Sequence, residues 1–148
     1  MSGIDESLYN DTVHKLLAMY RFLRRYGREM QAEGISGRKV TTLRYLLEAG
    51  PLTVGQIRDY LYISDSSTSE LIAGMEESGF VTRTRSQADN RVVIVDLSPA
   101  GRDLARSTRL GGMPLLREVL KTLPAERLVL INQAMTDILS LLEIENGY

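Results

Sequence analysis

From Ser64 to Glu70 the chain reads Ser64-Asp65-Ser66-Ser67-Thr68-Ser69-Glu70, five hydroxyls and two carboxylates in a row of seven. Short hydroxyls both donate and accept hydrogen bonds and carboxylates accept them, which suits exposed side chains here to base edges and phosphates rather than to bond-making chemistry. A helix starting at Ser64 would add free backbone amides, an end that favours anions. Further on, Asp89 and Arg91 lie two residues apart. On an extended segment they share a face, so the carboxylate can orient the guanidinium, and an oriented arginine fits a narrow minor groove. Arg83 and Arg85 alternate onto one strand face, where they can meet phosphates. Arg38, Lys39 and Thr53 are further candidates for phosphate contact. The first two close a basic stretch in which Lys15, Arg21, Arg24, Arg25, Arg28, Arg38 and Lys39 face only Glu29 and Glu33.

Other chemistries find little to work with. The chain has no cysteine, which excludes a thiol redox switch and a cysteine-ligated zinc. His14 is the single histidine, so a histidine-rich metal site is excluded, and no nucleophile, metal set or phosphate loop points to an enzyme or a cofactor. The 148 residues, 43% hydrophobic and 25% charged, predict one globular domain. The polar, acidic start MSGIDESLYNDT and the lack of a stretch of ~20 apolar residues predict a soluble, cytoplasmic protein. A formal charge of −1 means that any polyanion-facing surface must come from how the charges are distributed.

The elements that would position these residues follow from periodicity and capping signals. Val13, Leu16, Leu17, Tyr20, Leu23, Tyr26 and Met30 recur at helical spacing, and Glu33-Gly34-Ile35-Ser36-Gly37 ends that helix. A second helix is predicted from Arg38 to Glu48, with Val40, Leu43, Leu46 and Leu47 inward. Thr53 and Gln56 form a capping box for a short helix from Val54 to Tyr60. Ser64 caps the next, Asp65 to Ser78, which Gly79 ends and in which Leu71, Ile72 and Met75 point inward. Phe80–Arg85 and Arg91–Leu97 are rich in β-branched residues and flank the tip 86–90, a β-hairpin. Ser98-Pro99 starts another helix, which Gly111-Gly112-Met113-Pro114 must end, kink or restart; Pro114 and Pro124 can each begin one. In the final helix Leu128, Ile131, Met135, Ile138 and Leu142 form a stripe, widened by Leu130, Ala134 and Leu141. That stripe needs cover, either from a second chain or from the chain's own first helix.

The segments Leu52-Thr53-Val54-Gly55-Gln56-Ile57, Ile63 to Ser69, Met75-Glu76-Glu77-Ser78-Gly79-Phe80-Val81, Asp89-Asn90-Arg91 and Leu97-Ser98-Pro99-Ala100-Gly101 together resemble the MarR family of regulators. The most specific element is the Asp-x-Arg tip followed by a strand and a Leu-Ser-x-x-Gly helix start. The resemblance implies a mainly α fold with a small β-hairpin wing, a winged helix-turn-helix over 38–103. It also implies a homodimer formed by helices within 1–37 and 104–148, with the helix carrying Ser64–Glu70 in a major groove of double-stranded DNA and each wing at a minor groove. The expected role is a repressor on pseudo-palindromic promoter sites. Small aromatic or phenolic acids sometimes bind in this family between the dimer helices and the winged region, and Tyr20, Arg24, Arg44 and Tyr45 are the candidate lining here.

Two departures stand out. The helix from Asp65 carries Asp65, Glu70, Glu76 and Glu77 and no Lys or Arg, where the family often has a basic residue, and Tyr62 stands where a glycine is common in the turn. The acidic helix keeps a second reading open, a winged module that binds protein instead of DNA.

Overall fold

The computed structural model describes residues 3–144. Seven helices and three short strands follow in the order α1 (Glu6–Ala32), α2 (Gly37–Ala49), β1 (Leu52–Thr53), α3 (Val54–Leu61), α4 (Asp65–Glu77), β2 (Val81–Arg85), β3 (Val93–Leu97), α5 (Pro99–Ser107), α6 (Gly112–Lys121) and α7 (Ala125–Leu141). Most of the boundaries are set by local hydrogen bonds. Ser36, Ser64 and Ser98 each accept from a backbone amide three residues on, and Thr53 and Gln56 form the reciprocal capping box. Gly79, at φ 80°, follows the end of α4 and lets the Phe80 amide reach back to the Met75 carbonyl at 2.9 Å.

The core lies where α2, α3, α4 and α5 meet one face of the sheet. It is built from Leu43, Leu46, Leu52, Ile57, Ile72, Met75, Val81, Val95, Leu97 and Ala105. The sheet has three antiparallel strands in the order β1-β3-β2, one more than the expected hairpin, because Leu52 and Thr53 pair with Val95 and Ile94. A two-residue strand formed with a partner some forty positions away carries no alternating pattern to detect. The tip is also longer than expected. β3 begins at Val93, and the turn closes through the Ser86 amide on the Val92 carbonyl and the Val92 amide on the Asp89 carbonyl.

Where α5 leaves the sheet the packing is very close. Ser98 Oγ donates to the Gly79 carbonyl at 2.5 Å, the Ser98 amide donates to the Phe80 carbonyl at 3.0 Å, and Ser98 Oγ accepts from the Gly101 amide at 3.0 Å. A Cβ on Gly101 would sit 1.9 Å from the Phe80 carbonyl oxygen, so only glycine fits. The Leu-Ser-x-x-Gly pattern thus records how a helix start is pressed onto the end of the preceding helix-turn-strand.

The chain between α5 and α6 restarts at Gly112, two residues before Pro114, which is accommodated in the first turn. The break lies against Tyr26 of α1: added Cβ atoms on Gly111 and Gly112 would come within 2.3 and 2.7 Å of its ring. The Tyr26 hydroxyl donates to the Arg109 carbonyl at 2.9 Å. Burial pushes its pKa up, with Arg109 opposing. α1 begins at Glu6, earlier than its apolar pattern, because the Asp5 carboxylate accepts from the Ser7 and Leu8 amides. α7 contributes no buried residue, so within one chain its stripe is not covered by the first helix. Leu128, Val129, Leu130, Ile131 and Met135 on α7, and Leu8, Tyr9, Leu16, Leu17, Tyr20 and Phe22 on α1, are exposed.

Gly101→Ala should lower stability by about 2–3 kcal/mol, because the new methyl group meets backbone and cannot be accommodated by a rotamer change. Gly74→Ala, inside α4 with nothing within 4 Å of its Cβ position, should raise stability by about 0.5–1 kcal/mol. Thermal or urea unfolding of both variants beside the unaltered chain checks the pair of signs.

Candidate nucleic-acid interface

Residues from three separate stretches converge on one groove of about 470 Å³. Thr53, Val54 and Gly55 line it from the start of α3, Ser69 and Ile72 from α4, and Arg83, Arg91, Val92 and Val93 from the hairpin. Four of the residues singled out in the sequence, Thr53, Ser69, Arg83 and Arg91, are therefore neighbours in space. A helix bearing small polar groups and a flanking arginine-bearing loop on one groove form a surface shaped for a rod-like polyanion.

The seven residues of the α4 start divide by role. Ser64 is the N-cap, its Oγ accepting from the Ser67 amide at 3.1 Å. Asp65, Ser66, Ser69 and Glu70 are exposed and Ser67 is half-buried. Thr68 departs from the expectation of an exposed residue. It is 0% exposed, and its hydroxyl donates to the Ser64 carbonyl at 2.8 Å, so it packs under the helix and cannot meet a base. The signal was present in the spacing, since Thr68, Ile72 and Met75 fall on one helical stripe.

In the wing, Asp89 holds Arg91 as anticipated, though through a turn rather than an extended face. Asp89 Oδ1 accepts from the Arg91 amide at 3.0 Å and from its Nε at 3.2 Å, and Oδ2 accepts from its Nη2 at 3.5 Å, while the side chain stays 91% exposed. The Arg91 amide, followed by its side chain, holds the Asp89 carboxyl below its usual pKa. Arg85 donates to the Asn90 carbonyl at 2.8 Å, which braces the tip. Arg83 is tied to α4: its Nη2 donates to Glu76 Oε1 at 2.8 Å and its backbone amide to Oε2 at 3.1 Å. The Arg83 hydrogen bond pulls the Glu76 carboxyl down and pushes the guanidinium up.

Sequence reasoning missed Arg58, on α3. Its Nη1 donates to Asp65 Oδ1 at 2.7 Å and its Nε to Asp59 Oδ1 at 3.0 Å, and these carboxylates, Asp65 first, push its pKa further up. A partner seven residues away on another helix leaves no periodic trace. Arg38 lies outside the groove, on a second cavity of about 440 Å³ between α1, α2, the end of α3 and α6, lined also by Leu23, Tyr26, Thr41, Leu61, Met113, Pro114 and Arg117. Lys39 is half-buried near the start of α2, its amide capped by Ser36 Oγ at 3.2 Å.

Of the four residues expected to line a ligand site, Arg44 and Tyr45 stand together on a small cleft with Tyr60 and Arg117, and Tyr20 and Arg24 lie apart from them. Tyr20 and Arg24 are exposed on α1 and bond each other at 3.0 Å, one turn apart. Arg44 donates to the Ala105 carbonyl at 3.3 Å, and Tyr45 stacks on Tyr60 at 3.8 Å, closed over by Arg117 at 4.2 Å from the Tyr60 ring. None of the four lines the 440 Å³ cavity. Among the described residues no acidic or histidine cluster could hold a metal ion, and no helix is long and apolar enough to cross a membrane.

A family model described as the MarR family matches residues 33–91. Among curated proteins, the uncharacterized HTH-type transcriptional regulator YfiV of Bacillus subtilis is 32% identical over 111 residues, covering 74% of this chain and 67% of its own. The chain belongs to the MarR family. A second relative, the uncharacterized HTH-type transcriptional regulator YsmB of the same organism, is 25% identical over 114 residues and covers 76% of this chain and 78% of its own. In fold, the chain is similar to Streptococcus pneumoniae FabT in complex with DNA, with a TM-score of 0.62, 19% identity and coverage of 91% and 97% of the two chains. This MarR-family transcriptional regulator thus has the winged-helix architecture, with α3 and α4 as the helix-turn-helix and β2–β3 as the wing. In its turn Tyr62 takes the left-handed conformation, φ 54° and ψ 52°, which costs a residue other than glycine roughly 1–2 kcal/mol. The tyrosine keeps the glycine-like geometry at the expense of strain.

The Glu76–Arg83 tie should be sensitive to acid. A carboxyl whose pKa is lowered by folding contributes stability above its ordinary value, near 4.5, and loses it as pH falls through the folded value. Glu76→Gln should therefore be less stable than the parent at pH 7, with the gap closing as pH falls below the ordinary 4.5 and through the lowered folded value. Hydrogen exchange at the Arg83 amide should speed up in the variant at neutral pH.

Proposed function

We propose that this regulator works as a cytoplasmic homodimeric repressor, gripping pseudo-palindromic promoter DNA with its winged region, 38–103, and dimerising through helices within 1–37 and 104–148. The convergence of Thr53, Ser69, Arg83 and Arg91 on one groove carries the reading, because a groove joining the recognition helix to the wing is what simultaneous contact with adjacent grooves of a duplex needs. In this reading Ser66, Ser67, Ser69 and Glu70 of α4 face the major groove. Arg91, oriented by Asp89, faces the minor groove, and Arg85, Arg38 and Lys39 face the backbone. FabT, similar in fold, is found in complex with DNA, which supports DNA as the partner.

The dimer reading rests on the apolar faces of α1 and α7. Such extended uncovered faces are unusual for a monomer, and one self-complementary patch on two copies buries both. The effector reading moves from the four residues named above to the 440 Å³ cavity, which adjoins α6 on one side and the end of α3 on the other. Its size suits a small aromatic acid, with Arg38 on its wall for the carboxylate and Arg117 beside it, held by the Tyr60 carbonyl and ring. Filling it would shift α3 and α4 relative to α6, and so the spacing of two recognition helices that must match one turn of DNA, ~34 Å.

Fluorescence anisotropy with duplexes from the region upstream of the gene, beside a scrambled duplex at two salt concentrations, tests the main claim. Selective, salt-sensitive binding is expected. Its absence at low salt would sink the DNA reading in favour of a protein-binding module. Arg91→Ala should weaken binding to all duplexes and reduce the log–log salt slope by about one for each wing that leaves a phosphate. Sedimentation should give twice the chain mass, and a monomer at micromolar concentration would reject the dimer.

A further inference from the structure

We propose that Asp65 is a specificity residue of the duplex interface, its carboxylate accepting from the amino group of a cytosine in the major groove while Arg58 holds it in place and lessens its repulsion of the phosphates. The inference rests on the reading of α4 as the recognition helix. Asp65 is the first residue of α4 and its side chain is 83% exposed. An isolated carboxylate there would repel the phosphates on either side. Arg58 lessens that repulsion, since its Nη1 lies 2.7 Å from Asp65 Oδ1 while its Nε is fixed by Asp59 at 3.0 Å. Asp59, Arg58 and Asp65 together carry one negative charge where the two carboxylates alone would carry two, and among the described residues Oδ2 makes no hydrogen bond and is free to accept one.

The chemistry of the groove then limits what Oδ2 can meet. A carboxylate cannot bond phosphate oxygens, and the donors on major-groove edges are cytosine N4 and adenine N6. Adenine places the N7 acceptor beside its amino group, where it faces the carboxylate unfavourably. Cytosine presents N4 with no acceptor on its own edge. The neighbouring Ser66 and Ser69 donate and accept alike and discriminate less sharply. The acidic character of α4 is, at this position, a means of choosing a base.

The competing explanation is a brace, in which Arg58 and Asp65 only join α3 to α4. Selection of binding sites from a randomised duplex library by the full-length protein and by Asp65→Asn and Arg58→Gln separates the two, with thermal unfolding confirming that each variant is folded. The unaltered protein should select a cytosine at one position of each half-site. Asp65→Asn should lose that preference by roughly tenfold, turning toward adenine, whose N6 and N7 an amide can meet together, while other positions stay unchanged. Arg58→Gln should keep the cytosine but bind every sequence several-fold more weakly. An Asp65→Asn consensus identical to the parent's would overturn the proposal and leave the brace. If the unaltered protein selects no sequence at all, the DNA reading itself falls, and this one with it.

Discussion

The approach of Gly101 to the Phe80 carbonyl sets the geometry on which the interface depends. It fixes where α5 begins, and through the Ser98 bonds to Gly79 and Phe80 it locks the end of α4 to the start of β2 and the end of β3. Everything on the groove is mounted on those elements or on β1 and α3, which join the same sheet and core. Because the contact is backbone against backbone, it has no rotamer freedom to absorb a displacement. The wing and α4 are thereby held as one piece, which Glu76 and Arg83 brace a second time from the solvent side.

Charge on this surface is organised by pairing. Asp65 and Asp59 share Arg58, Glu76 holds Arg83, and Asp89 orients Arg91. A net charge of −1 is therefore a poor guide to the field near the groove. The pairs are exposed, so each adds little to stability on its own. Their value lies in fixing directions: the Arg91 guanidinium is aimed, the Arg83 amide is held, and the Asp65 carboxylate is oriented with its repulsion reduced.

What could be read in the sequence was what local chemistry decides. Ser64, Ser98 and the Thr53–Gln56 box placed three helix starts, because a cap is made with amides two or three residues away. The residues of the groove were also legible, Thr53, Ser69, Arg83 and Arg91 all having been picked out beforehand. What escaped was non-local or masked by polarity. β1 pairs across some forty residues, Arg58 finds Asp65 on the next helix, and Thr68 hides a core position behind a hydroxyl that its own helix satisfies. The ligand quartet is split in two within one chain for a related reason. Tyr20 and Arg24 are one turn apart and satisfy each other on the surface, while Tyr45 is consumed by its stack on Tyr60.

The Tyr26 hydroxyl, bonded to the Arg109 carbonyl, closes a loop of 83 residues, whereas the bond from Ser98 to Gly79 closes one of 19. Chain entropy makes the longer closure costlier by about 1 kcal/mol when both loops are unstructured. Folding the winged region first removes most of that difference, since the intervening chain is then already compact. Topology thus favours an order of assembly in which the wing and its helices condense as a nucleus and α1 docks afterward, with the tyrosine ring settling over Gly111 and Gly112 as the late step.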